Sequence, residues 1–282
     1  MSRRWLASLA ALLLVACAAA ERSGFLPRTI GAESTHRGFF IRDAARAAVI
    51  IWNNGWLESG AHHLCDPLSD DALAGPPAAV KTLSRSSAEE PRVLLYVVCT
   101  DYALDWSSLA AWREEETRVA ERLEALVAQF VAAGVRPERI VLAGQSLGGW
   151  MGLVVAARRR VEVGGVLAFA PGFAPAHATR PAAWWGFMAK RGSAIASRLD
   201  VPALVYAYPD DPWDLPQHLA FLARFPGVEF VSLDLRGRCA LTMGVHLTAY
   251  APCFEAAERV RLAAFLARVF AQRASTSGPS SQ

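Results

Sequence analysis

The sequence carries no strong excess of either charge. Its 29 Lys and Arg stand against 26 Asp and Glu in 282 residues, a formal net charge of +3. Binding to a phosphate backbone needs clustered cationic charge, so nucleic acid is not an expected partner. Cysteine is sparse, with 5 residues, which excludes a disulfide-knot scaffold. The 20 Gly and 16 Pro are too few for a collagen-like chain. No internal repeat or linker is visible. Beyond the N-terminus, no apolar stretch reaches the ~20 residues of a membrane-spanning helix. Apolar side chains, by contrast, are plentiful. Hydrophobic residues make up 53% and charged residues 20%, the reverse of a composition that stays disordered. This length and content suffice for one large domain with a buried core.

Arg3 and Arg4 precede an apolar run over residues 5–16, the order of charge and hydrophobicity found in signal peptides. Two exits from the run are open. Leu14-Val15-Ala16-Cys17 resembles a bacterial lipoprotein signal, which would remove residues 1–16 and lipidate Cys17. Ordinary cleavage after Ala20, removing residues 1–20, is the alternative. Either way the mature chain is expected to be exported: lipid-anchored in the envelope, periplasmic or secreted. Membrane attachment is expected only through a lipidated N-terminus. Four Cys then remain, and an even number in an oxidising compartment suggests bridges. Cys239 and Cys253 bracket one short segment and form the favoured pair, with Cys65–Cys99 as the other. The alternative is four small buried apolar side chains.

Residues 47–272 read as one domain, 17–46 as a partly ordered segment with room for one or two strands, and 273–282 as a small, polar, disordered tail. Nearly uninterrupted apolar runs occupy residues 47–52, 93–99, 140–143, 166–170, 203–207 and 228–233. Such strands imply a sheet covered on both faces, which is the parallel case. Between them lie helical patterns over 112–133, 217–224 and 255–270. In the first, Val119, Leu123, Val127, Phe130 and Val131 share a face, Glu114, Glu115 and Glu116 load the first turn, and Gly134 sits at the C-terminal cap. Alternating strands and helices predict a three-layer α/β/α sandwich with a mostly parallel sheet of about six to eight strands.

Between the run 140–143 and a helical segment lies Gly144-Gln145-Ser146-Leu147-Gly148, followed by Gly149. This is G-x-S-x-G in strand–turn–helix context. Its tight turn strains the backbone of Ser146 and projects the hydroxyl clear of the sheet. The turn also aims the amide of Leu147 at the place where an oxyanion would form.

At this point the chain resembles the α/β-hydrolase superfamily, over roughly residues 47–270. The resemblance implies a serine nucleophile followed along the chain by an acid and then a histidine. The run 203–207 leads into Tyr208-Pro209-Asp210-Asp211-Pro212-Trp213, which looks like the family's acid loop, with Asp211 as first choice and Asp210 as alternative. Helix capping of the next segment fits Asp214 better than Asp211. After the run 228–233 comes Gly244-Val245-His246, the family's place for the catalytic base. A bridge between Cys239 and Cys253 would staple that loop. Family members commonly carry His-Gly after the first apolar strand; here stands Asn53-Asn54-Gly55-Trp56. The second oxyanion donor would be the Trp56 amide, with Asn54 bracing the loop.

Other clusters are weaker. His62, His63, Cys65 and Asp66 do not match zinc-ligand spacing, and Asp66, Asp70 and Asp71 lack an EF-hand pattern, so no metal and no cofactor is expected. Trp184, Trp185 and Phe187 lie in a short flap between the sixth and seventh strands, where they would line an acyl pocket, touch lipid or pack on the domain. Trp150 and Trp213, with Trp56 and Trp106, fall near strand ends and would make the cleft aromatic. The resemblance thus implies an exported serine hydrolase cleaving carboxylic esters of a small-molecule or lipid-like acyl substrate. Thioesterase, peptidase or acyltransferase chemistry would use the same triad, and a non-catalytic envelope scaffold is the reading from another class.

Overall fold

Strands that are apolar along their whole length need cover on both sides, and this chain supplies it. The computed structural model describes residues 23–26, 32–35, 37–55, 75–85, 92–100, 102, 108–172, 182, 184–188, 195, 199–241 and 244–271. The signal region with Cys17, the segment carrying Trp56, His62, His63 and Cys65, Trp106 and the C-terminal tail lie outside them. The strands are β1 (Gly24–Leu26), β2 (Ala32–Thr35), β3 (Gly38–Ile41), β4 (Ala48–Asn53), β5 (Val93–Val98), β6 (Ile140–Gln145), β7 (Gly165–Phe169), β8 (Ala203–Ala207) and β9 (Val228–Ser232). Seven form one sheet in the order β1-β5-β4-β6-β7-β8-β9. Only β1 is antiparallel to its neighbour.

Side chains alternate faces along each strand, and both faces are buried. Val49 and Ile51 of β4, with Leu94 and Tyr96 of β5, join one apolar cluster. Ile50 and Trp52, with Leu95 and Val97, join the other. Helices α2 (Leu109–Ala132) and α3 (Leu147–Arg158) cover the first face. Helices α1 (Ala78–Arg85) and α5 (Pro252–Ala271) cover the second. The short α4 (Pro216–Leu219) follows β8 and runs into a 3-10 turn over Ala220–Arg224, where the sequence predicts a single helix.

Three further expectations need correction. The region before residue 47 holds three strands, not one or two: β1 on the sheet edge, and β2 and β3 as a separate hairpin. Phe39 of that hairpin stacks on Phe130 with ring centroids 4.2 Å apart, which docks it against α2. Helix α2 begins before its acidic run, capped by Ser108, whose hydroxyl accepts from the Ala111 amide at 3.3 Å. Glu114, Glu115 and Glu116 therefore lie past the first turn, and Glu115 pairs with Arg118 instead. Val131 lies about 120° round the helix from Val119 and is 39% exposed. The end of α2 is as predicted. Gly134 has φ 97°, its amide donates to Val131 O and that of Val135 to Phe130 O, a Schellman closure.

The chain moves from β4 to β5 on one side and then, through α2, to β6 on the other. Loops leaving β4 and β6 thus diverge and open a crevice at the carboxyl ends of these strands, where ligands of open α/β sheets bind. The expected flap segment, between residues 171 and 199, joins β7 to β8, the fifth and sixth strands of the main sheet in chain order rather than the sixth and seventh. At the far edge, Glu229 of β9 pairs with Arg268 at 2.6 Å and Arg261 at 3.3 Å.

Candidate active site

The crevice between β4 and β6 is built by close backbone approach. A Cβ on Gly144 would stand 2.5 Å from the Asn53 carbonyl oxygen, and one on Gly148 would overlap the carbonyl oxygens of Asn53 and Asn54. Both outer positions of Gly144-Gln145-Ser146-Leu147-Gly148 therefore exclude any side chain. Between them Ser146 adopts φ 54°, ψ −126°, a conformation costing of order 1–3 kcal/mol for a non-glycine residue. Two bonds hold it there: its amide donates to Phe169 O at 2.8 Å, and its carbonyl accepts from the Trp150 amide at 3.0 Å. Leu147 opens α3, so its N–H belongs to the first-turn donors that have no acceptor within the helix.

Asp211 and His246 meet because β8 and β9 are adjacent and parallel, so the loops leaving them emerge side by side. His246 Nδ1 lies 2.7 Å from Asp211 Oδ2 and 3.0 Å from Oδ1. The Asp211 side chain is fully buried and that of His246 is 15% exposed. Asp211 Oδ1 also accepts from the Trp213 amide at 2.9 Å, which fixes the carboxylate plane. A carboxylate against Nδ1 places the ring proton there and leaves a lone pair on Nε2. Nε2 is buried and has no hydrogen-bond partner among the described residues, Ser146 included. Asp210 points elsewhere. Its side chain is 68% exposed and pairs with Arg236, which also grips Asp234. The Arg236 guanidinium, through its side-chain hydrogen bonds, lowers Asp234 from the ordinary carboxylate range to about 2.

The loop after β4 is braced from β5. The Thr100 amide donates to Asn54 Oδ1 at 2.9 Å, and Asn54 Nδ2 donates to Gly55 O at 2.6 Å. Asn53 Nδ2 donates to the Tyr102 hydroxyl at 2.8 Å, while the Thr100 hydroxyl donates to Asn53 Oδ1. Burial pushes the Tyr102 hydroxyl pKa up, so it stays protonated as a donor. Asn54 thus braces the loop, as its position suggests; Trp56, the expected second oxyanion donor, lies outside the described residues.

The aromatic cleft needs correction. Trp150 is 1% exposed and points to α2, where its Nε1 donates to Glu116 at 3.2 Å. Trp184 is fully buried, and its Nε1 donates to Asp214 Oδ1 at 2.7 Å. Asp214 therefore holds the flap rather than capping α4, whose N-cap is Leu215 followed by Pro216. Trp185 is 57% exposed, edge-on to Trp184. Of the four, only Trp213 adjoins the imidazole, with ring centroids 5.8 Å apart. Gly172 adjoins the serine as well: a Cβ there would lie 3.3 Å from Ser146 Oγ. Cys239 and Cys253 are bonded to each other. Cys99 is also disulfide-bonded, and Cys65, its expected partner, lies outside the described residues. Among the described residues no group of His, Cys, Asp or Glu is arranged to hold a metal ion.

Residues 102–186, which carry α2, the elbow and α3, match the family model described as phospholipase/carboxylesterase. No functionally curated protein matches the sequence. Esterase B from Lactobacillus rhamnosis HN001 is similar in structure, with 12% identity, 94% of this chain and 95% of that one covered, and a TM-score of 0.53. An esterase from the bacterial hormone-sensitive lipase family has 15% identity, 86% coverage of each chain and a TM-score of 0.50. At these identities the likeness is one of fold. The sheet order and these likenesses show that the chain has an α/β-hydrolase fold, and the family model matches the part of it that carries the elbow.

Proposed function

We propose that this protein is a serine hydrolase that cleaves carboxylic esters through an acyl-enzyme intermediate. The observation that carries the reading is the pairing of His246 Nδ1 with buried Asp211, on a loop that also bonds the residue preceding the strained Ser146. In this reading Ser146 Oγ attacks the acyl carbon while His246 Nε2 takes its proton. Asp211 holds the tautomer and stabilises the imidazolium. The tetrahedral oxyanion is held by the Leu147 amide and a second amide after β4, for which Trp56 is the candidate. Each such donor contributes about 10²–10³-fold in rate. The imidazolium then protonates the leaving alkoxide, and water, activated by the same Nε2, releases the acid. The match to a phospholipase/carboxylesterase model over the elbow region supports ester chemistry. The Cys239–Cys253 bridge supports export to an oxidising compartment, and an N-terminus lipidated at Cys17 or cleaved after Ala20 accords with it.

The test is covalent labelling by a fluorophosphonate, together with turnover of activated esters of graded acyl length. Wild type is expected to label and turn over, and Ser146→Ala to do neither. A Ser146→Ala variant with full turnover overturns the assignment, and an inert wild type favours a non-catalytic scaffold.

A further inference from the structure

Side chains of β6 alternate between the two faces. Leu142 belongs to the cluster under α2 and α3, and Val141 and Ala143 to the one under α5. The same parity turns Gln145 toward the α5 side, where the loop carrying His246 lies. Its Nε2 donates to the main-chain carbonyl of His246 at 2.9 Å. Gln145 is 3% exposed, and its Oε1 is buried without a hydrogen-bond partner among the described residues.

We infer that Gln145 is a positioning residue: it ties the main chain of His246 to the strand that ends in Ser146, and so sets how far Nε2 stands from the serine hydroxyl. This rests on the hydrolase reading above. Asp211 fixes the imidazole from its Nδ1 side only. Nε2 has no partner among the described residues, so nothing on that side holds the ring at a reactive distance. Gln145 adjoins Ser146 in the chain, and its bond runs from the elbow directly to the His246 backbone. Stability is a weak reason for the residue: what its bond to the His246 carbonyl contributes is offset by the buried Oε1 that has no partner among the described residues. What the bond does specifically is fix where the loop sits.

Gln145→Met keeps the length and removes the donor. Measured on activated esters, it is expected to lower kcat by about 10- to 100-fold, the scale of a sub-ångström to 1 Å misplacement, with KM little changed. Its Tm is expected to fall by only about 2–6 °C, the scale of one lost part-buried hydrogen bond. Fluorophosphonate labelling should slow by a similar factor. Undiminished kcat in Gln145→Met overturns the inference while the hydrolase reading stands. So does a fall in Tm of more than about 10 °C that accompanies the activity loss, or an insoluble product, since either marks a structural role. The shorter Gln145→Leu, equally apolar, should reproduce the loss in kcat with a similarly small fall in Tm; a wild-type kcat there overturns it too. If wild type neither labels nor turns over, the hydrolase reading fails and this inference falls with it.

Discussion

Replacing both Cys239 and Cys253 by Ser tests how the His246 loop is held. The bridge joins residues 14 apart, and His246 falls midway between them in the chain. One end lies in the loop after β9 and the other in the first turn of α5. Closing a loop of about 15 residues removes close to 3 kcal/mol of chain entropy from the unfolded state. For a domain of this size that corresponds to a Tm lower by about 6–12 °C in the double variant. Mutation is the right perturbation, because a reductant would also open the disulfide at Cys99. Calorimetry gives Tm, and denaturant titration separates a change in midpoint from a change in slope. The loosened segment retains the Asp211 and Gln145 contacts to His246, so kcat should fall less than in Gln145→Met, while KM moves little. A double variant melting within about 1 °C of wild type would refute the loop-entropy argument. It would mean that the unfolded chain is already confined there without the bridge.

Two other outcomes follow from the geometry. Asp211→Asn should lower kcat by about 10⁴-fold, as loss of the tautomer-fixing carboxylate does in serine triads, whereas Asp210→Asn, which breaks only an exposed pair with Arg236, should leave kcat near wild type; the reverse order in steady-state assays would exchange their roles. Asp234, lowered to about 2 by Arg236, should keep its ion pair from neutral pH down and lose it only as pH falls through that value. Carboxyl-detected NMR titration checks this, and Arg236→Ala should return Asp234 to the ordinary carboxylate range.

Much of this is legible in the sequence where burial restricts choice. The inner strands show as apolar runs because both faces of the sheet are covered, and the elbow shows because backbone contacts at Gly144 and Gly148 leave no room for a Cβ. The hairpin is not legible, since Glu33, Ser34 and Thr35 of β2 are exposed and leave no apolar trace. Trp150 and Trp184 mislead for a different reason. Proximity to a strand end does not fix direction: packing on α2 turns one ring inward, and Asp214 holds the other. Gln145 looks like a free position within the motif. Its role could be read only by carrying strand parity from Val141 forward and knowing that the His246 loop lies on that side.

The two rims of the main sheet have a consequence for colloidal behaviour. One ends in β1, three residues long, which offers a foreign strand few main-chain groups to zip onto. The other presents Glu229 flanked by two guanidinium groups, so a second polypeptide annealing there would have to strip water from fixed charges. Neither rim is a favourable template for edge-to-edge polymerisation, and neutralising Glu229, Arg261 and Arg268 together is the change that would make the protein prone to it.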